Sequence, residues 1–294
     1  MKFFKYILIV LVLNLSLQAN LDDGFYFGVS IYKFDKSSQS RTKRSVLKIM
    51  EEWEKLFDKK IKIIFIENEE NLLKDFKKFE KMNAIITFTT FYLKNKEELK
   101  KYSVKPFIVS AGESKKTSYY LVANKNSNIK LIKDLKNKTF SYYTVDKGYS
   151  IWLDYLIRKN LNTSLHEIIK KKNNVSKDKK LLLDVYFNKS DFTVVSKIIY
   201  DDMILLNPSI RKNLTIIEKS KPMFFFGLGL LHKDTSPELI DLFIKIFESG
   251  EFNKKFSEVY KLLNLYGIQK SSYEELKDLD DFYDEYKELK KSNK

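Results

Sequence analysis

Residues 117–143 read TSYYLVANKNSNIKLIKDLKNKTFSYY, and the order of patterns within them decides the fold class. The apolar, aromatic-rich run at 119–123 has the composition of a buried strand and ends in a polar turn at 124–128. A short amphipathic segment carrying Leu131, Ile132 and Leu135 follows, and a second β-rich run begins at Thr139. Strand, turn, helical turn and strand at this short spacing are the signature of an α/β unit.

The same alternation extends in both directions. Upstream, 25–32 (FYFGVSIY) is β-prone and runs into a polar loop at 33–39. The spacing predicts a helix over 40–57, with Val46, Ile49, Met50, Trp53 and Phe57 on one face. A strand at 61–66, a helix at 69–80, a fully apolar strand at 84–88 and another at 106–110 follow. Downstream, helices are predicted at 148–159, 177–187 and 196–206, the last stopped by Asn207-Pro208. Strands are predicted at 167–171, 191–195, 214–218 and 223–231. Helices near 237–247, 253–263 and 273–290 close the chain, and the last is acidic, with Leu276, Leu279, Tyr283 and Tyr286 along one flank. Strands alternating with helices argue for parallel sheets covered on both faces.

The first residues speak to compartment. Lys2 and Lys5 precede or flank an unbroken apolar run at 6–13, and Leu17-Gln18-Ala19 offers a cleavage site before Asn20. This is the three-part pattern of a secretory signal peptide over 1–19, with an apolar core too short to span a bilayer comfortably. The chain has no Cys. Lipid attachment through cysteine, thiol nucleophiles and cysteine metal sites are therefore excluded, and stability rests on a core without disulfides. The remaining length of about 275 residues suits one large or two modest domains. The formal charge is +15, almost all of it Lys spread along the chain, so the excess reads as a solvated basic surface rather than a clustered nucleic-acid footprint.

With these patterns in order, the chain resembles the phosphonate-type periplasmic binding proteins of ABC importers, within the type II solute-binding superfamily. FGVSIY resembles that family's opening strand, and WEKLFDKKIKIIFIENEENLLKDFKK its helix, strand and next helix. MNAIITFTTFYL resembles the segment that delivers a ligand-contacting loop, and SYYLVANKNSNIKLIKDLKNKTFSYY the start of the second lobe. VYFNKSDFTVVS and IIEKSKPMFFFGLGLLHKD resemble the turn-and-strand and return-strand elements. The resemblance implies an α/β clamshell of two lobes, each a mixed sheet with flanking helices, joined by two hinge strands. Lobe 1 is expected over 22–112 and 222–266, lobe 2 over 113–221, and a C-terminal acidic helix over 267–294.

The resemblance also implies an exported, monomeric protein that captures a small ligand for an inner-membrane ABC permease. The alternative partner is a membrane receptor that reads the closed form. No nucleic acid, metal or cofactor is expected. Ligand contacts are expected in loops at strand C-terminal ends: Tyr32, Lys33 and Phe34; Thr89, Thr90 and Tyr92; and Thr144, Lys147, Tyr149 and Ser150. The family's phosphonate-gripping run of hydroxyls falls on 144–150, where only Thr144 and Ser150 keep hydroxyls and Asp146 adds a negative charge. A carboxylate there opposes a dianion that relies on hydroxyls and a helix N-terminus. Enzymatic readings find little support, because His166 and His232 are the only histidines and no HExxH, GxSxG or Gly-rich phosphate loop occurs.

Overall fold

The computed structural model describes residues 21–30, 58–110, 113–144, 147–248 and 266–292, together with parts of 40–55 and 253–257. The signal peptide expected at 1–19, the loop at 31–39 and most of the helix expected at 253–263 lie outside the described residues.

Eleven strands appear among the described residues: β1 (Gly24–Ser30), β2 (Lys60–Ile66), β3 (Ala84–Thr87), β4 (Ser103–Ser110), β5 (Tyr119–Asn124), β6 (Thr139–Tyr143), β7 (Lys171–Val175), β8 (Phe192–Ser196), β9 (Leu214–Lys219), β10 (Gly227–His232) and β11 (Gly267–Lys270). The longer helices are α1 (Glu69–Lys78), α2 (Thr89–Tyr102), α3 (Gly148–Leu161), α4 (Asp178–Tyr186), α5 (Lys197–Leu206), α6 (Pro237–Glu248) and α7 (Lys277–Ser292). They form two mixed sheets with flanking helices, the two-lobed α/β architecture expected from the sequence.

The first sheet has the order β11-β4-β10-β3-β1-β2, and the second β7-β6-β8-β5-β9. In the first, β1 runs parallel to β2 and β3, whereas β10 is antiparallel to β3 and β4. In the second, β6 is parallel to β7 and β8, and β5 is antiparallel to β8 and β9. The returning strands, β5 in the second sheet and β10 and β11 in the first, make both sheets mixed rather than purely parallel. Central strands such as β8 are buried at every position, which explains their unbroken apolar sequence.

Three segments differ from the sequence expectation. The stretch 89–102, where loop residues were expected after a strand, is helix α2. The strand expected at 167–171 is a helical turn at Leu165–Ile168 followed by β7 at Lys171–Val175. Its sequence KKNNV leaves only Val175 buried, so hydrophobicity gave no signal for this edge strand. Finally, 267–294 is not helix alone, because β11 first pairs with β4 and extends the first sheet.

Two apolar clusters hold the molecule. One, on the outer face of the first sheet, joins Phe25, Phe27, Trp53, Phe107 and Phe243. Gly229 permits the ring of Phe107 to lie across β10, since a Cβ there would stand 1.9 Å from it. The other runs through both sheets and α7, linking Phe76 and Tyr92 to Tyr119, Trp152 and Phe282. Buried Asn83 ties the start of the first sheet together, accepting from Tyr26 N at 2.9 Å and donating to the carbonyls of Leu21 and Gly24.

Candidate ligand cleft between the lobes

The chain passes between the sheets twice, after β4 and again after β9. The two crossings hydrogen-bond to each other: Thr117 N donates to Phe224 O at 2.8 Å, and Phe224 N to Thr117 O at 3.2 Å. The Tyr119 ring stacks on Phe224 with centroids 3.7 Å apart and meets the Tyr149 ring edge-on at 4.6 Å. Tyr119 N also donates to the Ser220 hydroxyl at 2.8 Å.

Helix N-termini from both lobes converge on this crossover. The Thr89 hydroxyl, in the first turn of α2, donates to Phe225 O at 2.9 Å. Tyr149, in the first turn of α3, lies against Tyr119 and Tyr143. Lys197 N, at the start of α5, donates to Ser118 O at 2.8 Å. Ser196 caps α5 with its hydroxyl, but the N-cap residues Phe88 of α2 and Lys147 of α3 make no side-chain cap hydrogen bond. The positive ends of α2 and α3 both lie at the junction of the lobes.

The structure places the expected site residues unevenly. Tyr32, Lys33 and Phe34 lie outside the described residues, as does Asp146. Thr89, Thr90 and Tyr92 occupy the buried first turn of α2 rather than a loop, because Phe91 N and Tyr92 N both bond back to Phe88 O. Tyr92 has no exposed surface, and its hydroxyl donates to Asp280 of α7 at 3.2 Å. Burial, then the charge of Asp280, pushes its phenol well above the ordinary value, so it stays a donor. Thr144 is exposed and donates through both N and Oγ1 to Val175 O, at 3.0 and 3.1 Å. The Ser150 hydroxyl donates to Lys147 O at 3.0 Å, and Lys147 itself is exposed.

Two residues that the sequence reading did not single out stand at the same place. Ser30 ends β1 and Thr87 ends the adjacent β3, one step beyond the registered pair Val29 and Ile86. Each is only 4% exposed, and neither hydroxyl has a hydrogen-bond partner among the described residues. Buried hydroxyls left unpaired are costly, so a pair of them at neighbouring strand ends marks a place shaped for something else. The sequence signal was slight: each is the first polar residue closing an apolar strand.

Helix α7 straps the two lobes. On the first lobe, Asp284 pairs with buried Lys96 at 2.6 Å and Asp280 with Lys100 at 2.5 Å. At the crossover, Phe282 packs edge-on against Phe224 and, on the second lobe, against Tyr155. Beyond it, Glu285 accepts from Tyr155 and Lys159, both at 2.9 Å, and the Tyr286 hydroxyl donates to Asp154 at 2.9 Å.

Two sheets joined by a double crossover, with helix N-termini from each meeting there, define the type II solute-binding clamshell. The chain belongs to the ABC transporter phosphonate periplasmic substrate-binding protein family, whose model matches residues 38–276. Among solved structures it is similar to a binding protein component of an ABC phosphonate transporter from Pseudomonas aeruginosa, with a TM-score of 0.64 and 18% identity over 93% of this chain and 89% of that one. It is similar to a Xanthomonas citri protein bound to ATP, with a TM-score of 0.66 and 10% identity over 92% of this chain and 99% of that one. PhnD1 from Prochlorococcus marinus, in complex with methylphosphonate, gives a TM-score of 0.60 and 14% identity over 89% of this chain and 97% of that one. Comparison with curated protein sequences finds no match. At these identities the solved structures speak to fold alone.

Proposed function

We infer that this protein is exported through a signal peptide at 1–19 and captures a small anion or zwitterion, phosphonate- or phosphate-like, between its lobes. It hands that solute to the inner-membrane permease of an ABC importer. The observation that carries the reading is the pair of buried, unpartnered hydroxyls of Ser30 and Thr87 beside the N-terminus of α2. Hydroxyl donors together with a helix N-terminus suit an oxyanion. Across the crossover, the start of α3 supplies Thr144, Lys147, Tyr149 and Ser150, and the first lobe adds Thr89, Thr90, Tyr32 and Lys33. Methylphosphonate and ATP, bound by two relatives in fold, both present such oxygens. Contacts to both lobes favour the closed arrangement, with the crossover at Thr117 and Phe224 as hinge.

The test is thermal shift and calorimetry of the purified protein against methylphosphonate, phosphate, sulfonates and amino acids. Stabilisation by an oxyanion is expected. Stabilisation by neutral or cationic compounds alone overturns the anion reading.

One observation favours a second reading, in which the closed form is presented to a membrane receptor. Because α7 grips both lobes, lobe closure is transmitted to a surface helix. Affinity capture from membranes separates the two: a permease supports import, a receptor supports sensing.

A further inference from the structure

Lysine is spread evenly along the sequence, yet the second sheet gathers much of it at one end. β5 leaves the crossover at Tyr119 and ends at Asn124, and its antiparallel partners β8 and β9 begin where it ends. β6 and β7 run with β8 and so begin there too. The loops 125–138, 162–170, 187–191 and 207–213 therefore share the pole of this lobe farthest from the cleft. Bonds between them make one surface: Asn124 N to Asp191 O at 3.0 Å, Asp191 N to Thr139 O at 2.9 Å, and the hydroxyls of Tyr186 and Ser209 2.8 Å apart. Across these loops nine basic residues face three acidic ones, Asp134, Glu167 and Asp191. All three carboxylates accept from backbone N–H groups, Asp134 from Lys130 and Leu131, Glu167 from Ser164 and Asp191 from Thr139.

The same pole exposes large apolar side chains. Phe187 follows the last residue of α4 and is 60% exposed, while Leu205 and Leu206 close α5 at 83% and 71%. α4 and α5 pack on each other, and Asn207 and Pro208 then turn the chain into the short helix Ser209–Asn213, which carries Arg211 and Lys212. One exposed leucine is ordinary, but two successive ones at the pole that also exposes Phe187 and carries Lys189, Arg211 and Lys212 are not. Cations around protruding apolar tips are the pattern of an interfacial membrane contact: the tips enter the headgroup boundary and the cations meet lipid phosphates. A phosphate-backbone partner has use for the cations but none for the leucines.

We propose that this distal pole of the second lobe docks on an anionic phospholipid bilayer, with Phe187, Leu205 and Leu206 at the headgroup boundary and Lys189, Arg211 and Lys212 over the phosphates. This contact is independent of which solute the cleft takes.

Flotation of the purified protein with phosphatidylethanolamine–phosphatidylglycerol vesicles, against phosphatidylcholine vesicles, tests it. Binding to the anionic vesicles alone, weakening with salt, is expected. The triple reversal Lys189→Glu, Arg211→Glu, Lys212→Glu lowers affinity at least about tenfold, and Leu205→Ser with Leu206→Ser does so by about the same factor. An equal reversal on the first lobe, at Lys62, Lys74 and Lys105, changes it less than about twofold. Circular dichroism checks that each variant is folded, and Leu206→Trp reports insertion through a blue-shifted emission on anionic vesicles. No binding to anionic vesicles at low salt overturns the proposal, as does equal loss from the first-lobe reversal or unshifted emission. Binding to duplex DNA or an acidic protein, with none to vesicles, overturns it in favour of that partner.

Discussion

The hydroxyl of Tyr92 donates to the carboxylate of Asp280 at 3.2 Å, joining the helix that enters the cleft to the helix that straps the lobes. Because Tyr92 is wholly buried, its first contribution is to stability. We expect Tyr92→Phe to cost about 1–2 kcal/mol, since Asp280 keeps Lys100 while losing one donor. Tyr92→Ala costs about 3–5 kcal/mol through the cavity it opens. Urea denaturation measures both. Solute affinity of Tyr92→Phe should stay within about threefold of the parent. Loss of about tenfold in affinity at unchanged melting temperature would instead put the phenol on the solute.

Adjacent carboxylates of α7, Asp284 facing the first lobe and Glu285 the second, should respond differently to neutralisation. Asp284 pairs with Lys96, whose side chain is almost wholly buried, whereas Glu285 and Lys159 are both about half exposed. Asp284→Asn leaves a buried ammonium short of its carboxylate and is expected to cost about 2–3 kcal/mol. Glu285→Gln should cost less than about 1 kcal/mol, because an exposed pair is screened by water and salt. Equal losses in denaturant midpoint would show that burial of Lys96 does not govern the strap.

How much of this was legible in the sequence depends on how local each feature is. The run 117–143 folds as its pattern indicates, into β5, a helical turn at Ile132–Leu135 and β6, because alternation and turn residues are local signals. α2 escaped notice because it begins Thr-Thr-Phe-Tyr, residues of modest helix propensity. Its one-sided pattern is also blurred, since Tyr92 and Lys96 are covered by α7 in addition to the usual inner face. β11 is four residues long and owes its existence to β4. The unpaired state of Ser30 and Thr87 and the clustering of lysines at one pole are tertiary facts, fixed by register and strand direction.

His232 gives the first lobe a pH dependence. It is buried between Phe76, in edge-on contact at 5.0 Å, and Phe79, stacked at 4.7 Å, and its Nδ1 accepts from Asp234 N at 3.1 Å. Burial holds its pKa below the ordinary 6.5, against the opposing pull of Asp234. The folded state therefore binds fewer protons than the unfolded chain near and below that value. Stability is full above about pH 6.5 and falls as the pH drops below it, because unfolding then gains a proton. Chemical denaturation from pH 7.5 to about 5 should show this decline, and His232→Gln should flatten it. A parallel decline in His232→Gln would assign the dependence to other groups.

Ser30 and Thr87 should separate stability from binding. Their buried hydroxyls lack partners among the described residues, so each carries an uncompensated desolvation cost of about 1–3 kcal/mol. Removing the hydroxyl while keeping the shape, by Ser30→Ala and Thr87→Val, relieves that cost. The unliganded variants are expected to melt at or above the parent temperature. If the solute's oxygens accept from these hydroxyls, the same substitutions remove donors the bound state relies on. Affinity for the stabilising oxyanion should then fall about tenfold or more per site. The two effects have opposite sign, which distinguishes a ligand contact from a packing role. A structural hydroxyl would lower the melting temperature on removal and leave affinity alone. A drop in melting temperature with unchanged affinity would remove Ser30 and Thr87 from the cleft and leave the start of α3 as the anion site.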